Sequence, residues 1–301
     1  MAVTMMRHES AGTFNPFETT LEPCTIGELN SRDENEVLDF LGARPIHTVF
    51  MAGLVRDNGL VSPDNRGSFY ACRDHRGQLE GVGLIGQVTV IEARTDASLS
   101  AFAGLARHCL NIRLIRGERQ TMNRFWTSYA HNGQEPRLVA RELLFERREP
   151  YSLSKPVENL QPANLTHLDQ ILKVNAAMFL HESGVSPLQR DPGGFRQRAA
   201  RRIEQGRVWV WIEDGRLIFK ADIVAETPQA VYLEGIHVHP EERLKGYGMR
   251  CLTQLSSILL ARSEAVCLTI NKRNKKAAAF YAKAGYQFRS SYQTIYLAEN
   301  I

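Results

Sequence analysis

VYLEGIHVHPEERLKGYG, residues 231–248, runs from an alternating strand-like pattern into a basic, glycine-bearing turn, and a helical pattern follows from Tyr247 to about Ala261. Its last six residues, RLKGYG, have two physical readings. Gly246 and Gly248 let backbone N–H groups converge on one point without Cβ obstruction. The N-terminus of the following helix adds partial positive charge there, so the turn can cradle an anion. Arg243, Lys245 and Arg250 surround it with cationic side chains. The plainer reading is a glycine-softened bend with solvated basic residues. Two familiar phosphate loops are excluded by spelling: there is no GxxxxGK[ST], and Cys251 stands where a GxGxxG fingerprint needs its third glycine.

Working outward, the second half of the chain has a regular order of patterns. NLTHLDQILKVNAAMFLHES opens with Asn164 as an N-cap and carries Leu168, Ile171, Leu172 and Ala176 at helical spacing. A basic helical stretch, GFRQRAARRIEQ, stops at Gly206. RVWVWI and RLIFKADIVAE alternate on either side of Glu213, Asp214 and Gly215, as a hairpin does. After the stretch quoted above come a helix, a buried strand AVCLTI, a helix from Asn274 to Ala284 and a last strand YQFRSSYQTIYL. The order is ααβββαβαβ.

The first half repeats it. DENEVLDFLG and IHTVFMAGLVRDNG read as helices, and FYACRDHRGQLEGVGLIGQVTVIEAR as two or three strands. ASLSAFAGLARHC, NIRLIRG, RQTMNRFWTSYA and LVARELLFERR follow as helix, strand, helix, strand. Two domains of one α/β (α+β) fold are expected: residues 1–20 a polar extension, 21–150 the first copy and 151–301 the second. The boundary falls near Glu149 and Pro150.

Composition sets the outer limits. The chain has 301 residues, 43% apolar and 23% charged, which suits a globular protein with room for two cores. Arg7, His8 and Glu9 interrupt any signal-peptide core, and VGLIGQVTVI is too short to cross a bilayer. A cytoplasmic location and no membrane partner are expected. The five cysteines are scattered, with no CxxC pair and no Cys/His zinc spacing, so neither a disulfide framework nor a metal is expected. A net charge of +4 favours an anionic ligand mildly and makes a nucleic-acid partner unlikely on charge alone.

The quoted stretch resembles motif A of the GNAT superfamily of acetyl-CoA-dependent N-acyltransferases, with Arg243, Gly246 and Gly248 filling Arg/Gln-x-x-Gly-x-Gly/Ala after a strand. INKRNKKAAAFYAKAGYQF resembles motif B, with Asn271, Asn274, Ala277, Tyr281, Gly285 and Tyr286 in order. The resemblance covers roughly residues 160–301. It implies a mixed, mostly antiparallel sheet flanked by helices, whose middle strands splay to admit acetyl-CoA as co-substrate. It further implies that the strand backbone at Ile236, His237 and Val238 lies along the pantetheine arm, with Ile236 and Val238 bonding it. Backbone N–H groups of Leu244, Lys245, Gly246, Tyr247, Gly248 and Met249 would hold the pyrophosphate. Lys245, Arg250, Lys272, Arg273 and Lys275 are candidates for the 3′-phosphate.

The chemistry implied is direct acetyl transfer to a primary amine of a small molecule or peptide, with no covalent intermediate. Tyr281 takes the family's general-acid position; its spacing with Ala277, Phe280 and Ala284 also suits plain core. Glu234 is the candidate base, and an ion pair with an arginine is an equal alternative. By strand alternation His237 and His239 face away from Glu234. The arginines Arg196, Arg198, Arg201 and Arg202 read as a solvated face, or as a surface for an acidic acceptor. The first copy lacks the cradle: its third strand ends in VIEARTDASLS, with Glu92 and Asp96 where bare amides and cations are wanted. A non-catalytic acyl-CoA sensor, or a transferase with a longer acyl donor, are the competing readings.

Overall fold

A computed structural model describes residues 24–130, 135–150 and 156–298; the proposed polar extension, residues 1–20, and residues 151–155 after the sequence boundary lie outside them. The first half runs through Thr25–Glu28 (β1), Glu34–Gly42 (α1), Pro45–Asn58 (α2), Gly67–Arg73 (β2), Leu79–Gly86 (β3) and Val88–Ala93 (β4). It continues with Asp96–Ala106 (α3), Leu114–Glu118 (β5), Arg119–Tyr129 (α4) and Leu138–Arg147 (β6). The second half opens with Gln161–Pro162 (β7), Leu168–Ser183 (α5), Pro187–Arg190 (α6), Pro192–Glu204 (α7), Val208–Glu213 (β8) and Arg216–Glu226 (β9). Val231–Val238 (β10), Tyr247–Leu260 (α8), Val266–Asn271 (β11), Lys275–Lys283 (α9) and Gln287–Tyr296 (β12) complete it.

Local chemistry sets the boundaries. Pro45 sits in the first turn of α2, where its missing N–H costs nothing. Gly184, at φ 72°, ends α5 in the left-handed region. Asp214 (φ 49°) and Gly215 (φ 73°) are both left-handed between β8 and β9, the geometry of a tight hairpin turn.

Among the described residues, twelve strands form one sheet in the order β1-β2-β3-β4-β5-β12-β6-β11-β10-β9-β8-β7. Only two neighbouring pairs are parallel, β4 with β5 and β10 with β11, so the sheet is mixed and mostly antiparallel. The centre of the sheet is shared. β6, from before the sequence boundary, pairs with β11, while β12 lies between β5 and β6. Each half therefore contributes its last strand to the seam.

Helices cover both faces. α1 and α2 pack on one face of the first half, α3 and α4 on the other. In the second half α5 and α7 cover one face, α8 and α9 the opposite one. A further core cluster belongs to both halves: Ile46 and Val49 of α2 pack with Ala225, Tyr232 and Cys267 of the second half and with Tyr292 of β12. Gly53 permits this approach, since a Cβ there would come 2.6 Å from the Ala225 Cβ. Arg207, at the entry to β8, closes the contact with two hydrogen bonds to the Asp57 carboxylate.

Candidate active site

The site begins where β10 and β11 separate. Their parallel pairing covers only Val231 to Leu233 and their partners Val266 to Leu268. β11 continues to Asn271 against β6, and β10 continues to Val238 against β9, so beyond Leu233 and Leu268 their facing edges are open. The His239 N–H donates to Ile218 of β9, so Val238 and Ile236, next in alternation, turn their backbone groups toward the gap.

An irregularity in β10 accompanies the opening. Three steps along β10, Glu234 to His237, match two along β9, Asp222 to Lys220, and Gly235 takes φ 61°. The bulge restores His237 to the face of Glu234, because directly opposed residues share a face. This corrects the expectation that His237 faces away from Glu234: alternation fails where one extra residue is inserted. His237 has its pKa pushed down to about 4 by burial first, then by Arg243, Lys220 and His239, so it is neutral at physiological pH.

The turn after β10 has a backbone form that can receive an anion. Leu244 (φ 65°) and Gly246 (φ 84°) are both left-handed, a backbone form that gathers successive N–H groups. α8 starts at Gly246 with no side chain capping it. A Cβ on Gly246 would meet open space, whereas one on Gly248 would meet Val238 at 2.8 Å. Gly246 thus keeps the mouth clear, and Gly248 lets α8 lie flush on β10. The Arg243 Nε donates to the Val238 carbonyl at 3.1 Å, tying the loop to the strand. Lys245 pairs with Glu242 at 3.0 Å, and Glu242 also accepts from Arg216. Asn271 accepts from the Arg273 N–H, and the Asn274 oxygen caps α9 through the Ala277 N–H at 3.0 Å. Asn274 therefore orders the helix that carries Tyr281.

Tyr281 stands on that helix in the α8–α9 core, its ring edge-on to Phe280 and Tyr286. Burial raises its phenol far above the ordinary value, and the nearby Glu182 carboxylate adds to the rise, so it remains protonated.

Glu234 and Tyr232 project on the other face of the sheet. Arg116, from β5 of the first half, donates to Glu234 at 3.0 Å and to the Tyr232 hydroxyl at 2.7 Å. Tyr232 in turn shares a hydrogen bond with Thr269 of β11. Burial would raise the Glu234 carboxyl, but Arg116 and the Tyr232 hydroxyl outweigh it and hold it below the usual range. Glu142 of β6 joins the group, receiving a hydrogen bond from Thr294 and shifted upward by burial. Glu182, at the end of α5, is an exposed residue, yet desolvation by the surrounding protein and the carboxylates of Glu234 and Glu142 push it up to about 7. Arg137 anchors that helix end by donating to the Ser183 carbonyl at 2.9 Å.

Arg116, Glu142 and Glu182 escaped the sequence reading. Arg116 and Glu142 lie in the other sequence half and gave no local signal. Glu182 had one, because it ends the stripe of Leu168, Ile171, Leu172 and Ala176. The α7 arginines are engaged: Arg196 with Asp169, Arg198 with Asp191, Arg201 with Asn58 and Arg202 near Asp222. They do not form an open surface for an acidic acceptor. Among the described residues no group of three or more His, Cys, Asp or Glu could hold a metal, and no helix is long and apolar enough to cross a membrane.

The acetyltransferase (GNAT) family profile matches residues 170–286, which span the gap, the cradle and Tyr281. None of the curated proteins compared matches the sequence. Among solved structures, a Drosophila protein is similar over 92% of this chain and 99% of its own, with 11% identity and a TM-score of 0.66. A tandem GNAT protein from the clavulanic acid biosynthesis pathway is similar over 91% and 98%, with 13% identity and a TM-score of 0.56. A GNAT-family acetyltransferase from Colwellia psychrerythraea is similar over 91% and 100%, with 11% identity and a TM-score of 0.53. At such identities these structures speak for the fold alone. Residues 170–286 thus match the acetyltransferase (GNAT) family, and the fold of the two halves together is similar to that of a tandem GNAT protein.

Proposed function

We propose that the protein transfers an acetyl group from acetyl-CoA to the primary amine of a small molecule or peptide. The observation that carries this reading is the uncapped start of α8, entered through left-handed Leu244 and Gly246, at the end of an open strand gap. Those N–H groups suit a pyrophosphate, and the backbone of Ile236 and Val238 suits an extended pantetheine arm. The donor's thioester would then lie in the gap, with Tyr281 on one face of the sheet and Glu234 on the other.

Two carboxylates with pKa values pushed apart divide the work on the amine. Glu234, held ionised by Arg116, attracts and orients the ammonium form of the acceptor. Glu182, pushed up to about 7, is matched to taking its proton near neutral pH, directly or through water. The base role that sequence alone offered to Glu234 thus passes to Glu182 in this reading. The neutral amine attacks the thioester carbonyl, the C–S bond breaks as the C–N bond forms, Tyr281 gives its proton to the departing thiolate, and the extra proton on the new amide nitrogen leaves through water, which returns a proton to Tyr281.

The deciding experiment is thiol release from acetyl-CoA, propionyl-CoA and longer acyl-CoA donors against a panel of amines. Amine-dependent release, fastest with acetyl-CoA, is expected. Tight CoA binding with no release for any amine would contradict the reading.

A further inference from the structure

Beneath the gap lies a buried ion pair that no step above uses. Lys220 of β9 has no exposed surface and Asp222 is 3% exposed. The Lys220 Nζ lies 2.7 Å from Asp222 Oδ1 and donates to the Gly235 carbonyl at 3.0 Å. Two charges taken out of water contribute little net stability, and apolar side chains of similar volume often do better. Stability alone therefore does not explain the pair.

Its partner does. Gly235 is the left-handed residue of the bulge, and a Cβ there would fall 2.7 Å from Lys220 Nζ and 2.9 Å from Asp222 Oδ2. The carbonyl of Gly235 points in toward the ammonium. Because the peptide is trans, the N–H of Ile236 on the same plane points the opposite way from that carbonyl, away from Lys220. The first half offers a control: β3 and β4 pair in unbroken register from Gly81 and Ala93 to Leu84 and Val90. There Val82 opposes Glu92, where Asp222 opposes Glu234 in the second half. The half without the cradle also lacks the ion pair and the bulge. Around the pair stand Arg202 of α7, 3.6 Å from Asp222, and Asn175 of α5 at 3.5 Å, with Glu234 and His237 across the strands.

We propose that Lys220 and Asp222 are positioning residues: Asp222 holds the Lys220 side chain, whose hydrogen bond to the Gly235 carbonyl locks the bulge, holds the β10–β11 gap open and aims the Ile236 N–H at the thioester. The kinetic consequence rests on the acyl-transfer reading; the structural consequence does not.

Two double variants of the full chain test it. Lys220→Met with Asp222→Leu removes both charges and the donor to Gly235. Lys220→Gln with Asp222→Asn removes the charges but keeps an amide donor. The first should fold with an unchanged or higher Tm, lose kcat on the order of 100-fold as a reacting group is misplaced, and show altered amide hydrogen exchange at Ile236 and Val238. The second should keep exchange and kcat near the wild-type values. Equal kcat and equal exchange in both folded variants would overturn the proposal. If the apolar pair does not fold, Lys220→Met with Asp222→Asn, which removes the donor to Gly235 but leaves a polar neighbour, decides: altered exchange at Ile236 with lost turnover supports the role, and wild-type exchange with wild-type turnover refutes it. If the wild-type protein turns over no acyl-CoA, the acyl-transfer reading fails, while exchange at Ile236 still decides whether the pair holds the bulge.

Discussion

After β4 the chain enters α3 through Arg94 and Thr95; after β10 it enters α8 through residues 239–246. At the first turn the Thr95 hydroxyl accepts from the Ser98 N–H at 3.2 Å, and the Ser98 hydroxyl closes a capping box. Asp96 adds a negative charge and pairs with Arg124. At the second turn no side chain caps the helix, and Gly246 leaves its mouth clear. The same strand–turn–helix unit is thus built once as a capped joint and once with an uncapped, open helix start. The difference is a few side chains, not a different fold. Glu92 of β4 and Glu234 of β10 hold corresponding places, and each is paired to an arginine, Arg44 for Glu92 and Arg116 for Glu234.

The halves are unequal in chemistry and inseparable in structure. Residues 151–301 expressed alone would leave β12 with neither of its neighbours, β5 and β6, and would strip β11 of β6. The fragment should therefore be insoluble or lack fixed tertiary structure by near-ultraviolet circular dichroism, with no thiol release. A folded, fully active fragment would refute the shared seam.

Tyr281→Phe should lower kcat roughly 100-fold, the usual scale for losing an acid–base group, with little change in acetyl-CoA affinity. Unchanged turnover would return Tyr281 to the plain core reading. Glu182→Gln should change the pH dependence more than the ceiling. In the wild type kcat/KM should fall as pH drops through about 7, because the base is then protonated; the variant should lose that limb and turn over at least tenfold more slowly. Smallest of all, Thr95→Ala should cost about 1 kcal/mol of stability through the lost cap. Chemical denaturation checks the loss, and the acetyl-CoA KM should stay fixed.

Element order and the glycine-bearing turn before α8 were legible because helical and strand periodicities, capping and glycine spacing are local. β1 and β7 were missed because short strands carry no periodicity. The exchange of β6 and β12 was hidden for another reason: LVARELLFERR and YQFRSSYQTIYL read as strands whichever neighbours they have. The face of His237 was misjudged because a bulge at Gly235 resets alternation. Arg116 shows the limit most clearly. It reaches Glu234 from 118 residues away in sequence, and only the folded seam makes them partners.

Calorimetric titration of the full chain with acetyl-CoA tests the central claim most directly, with Gly246→Ala beside the wild type. Alanine at a left-handed position costs about 1–2 kcal/mol, and its methyl group would enter the cradle. One site per chain is predicted, weakened at least tenfold by Gly246→Ala. Two sites, or one site indifferent to that change, would contradict the account of a single working cradle.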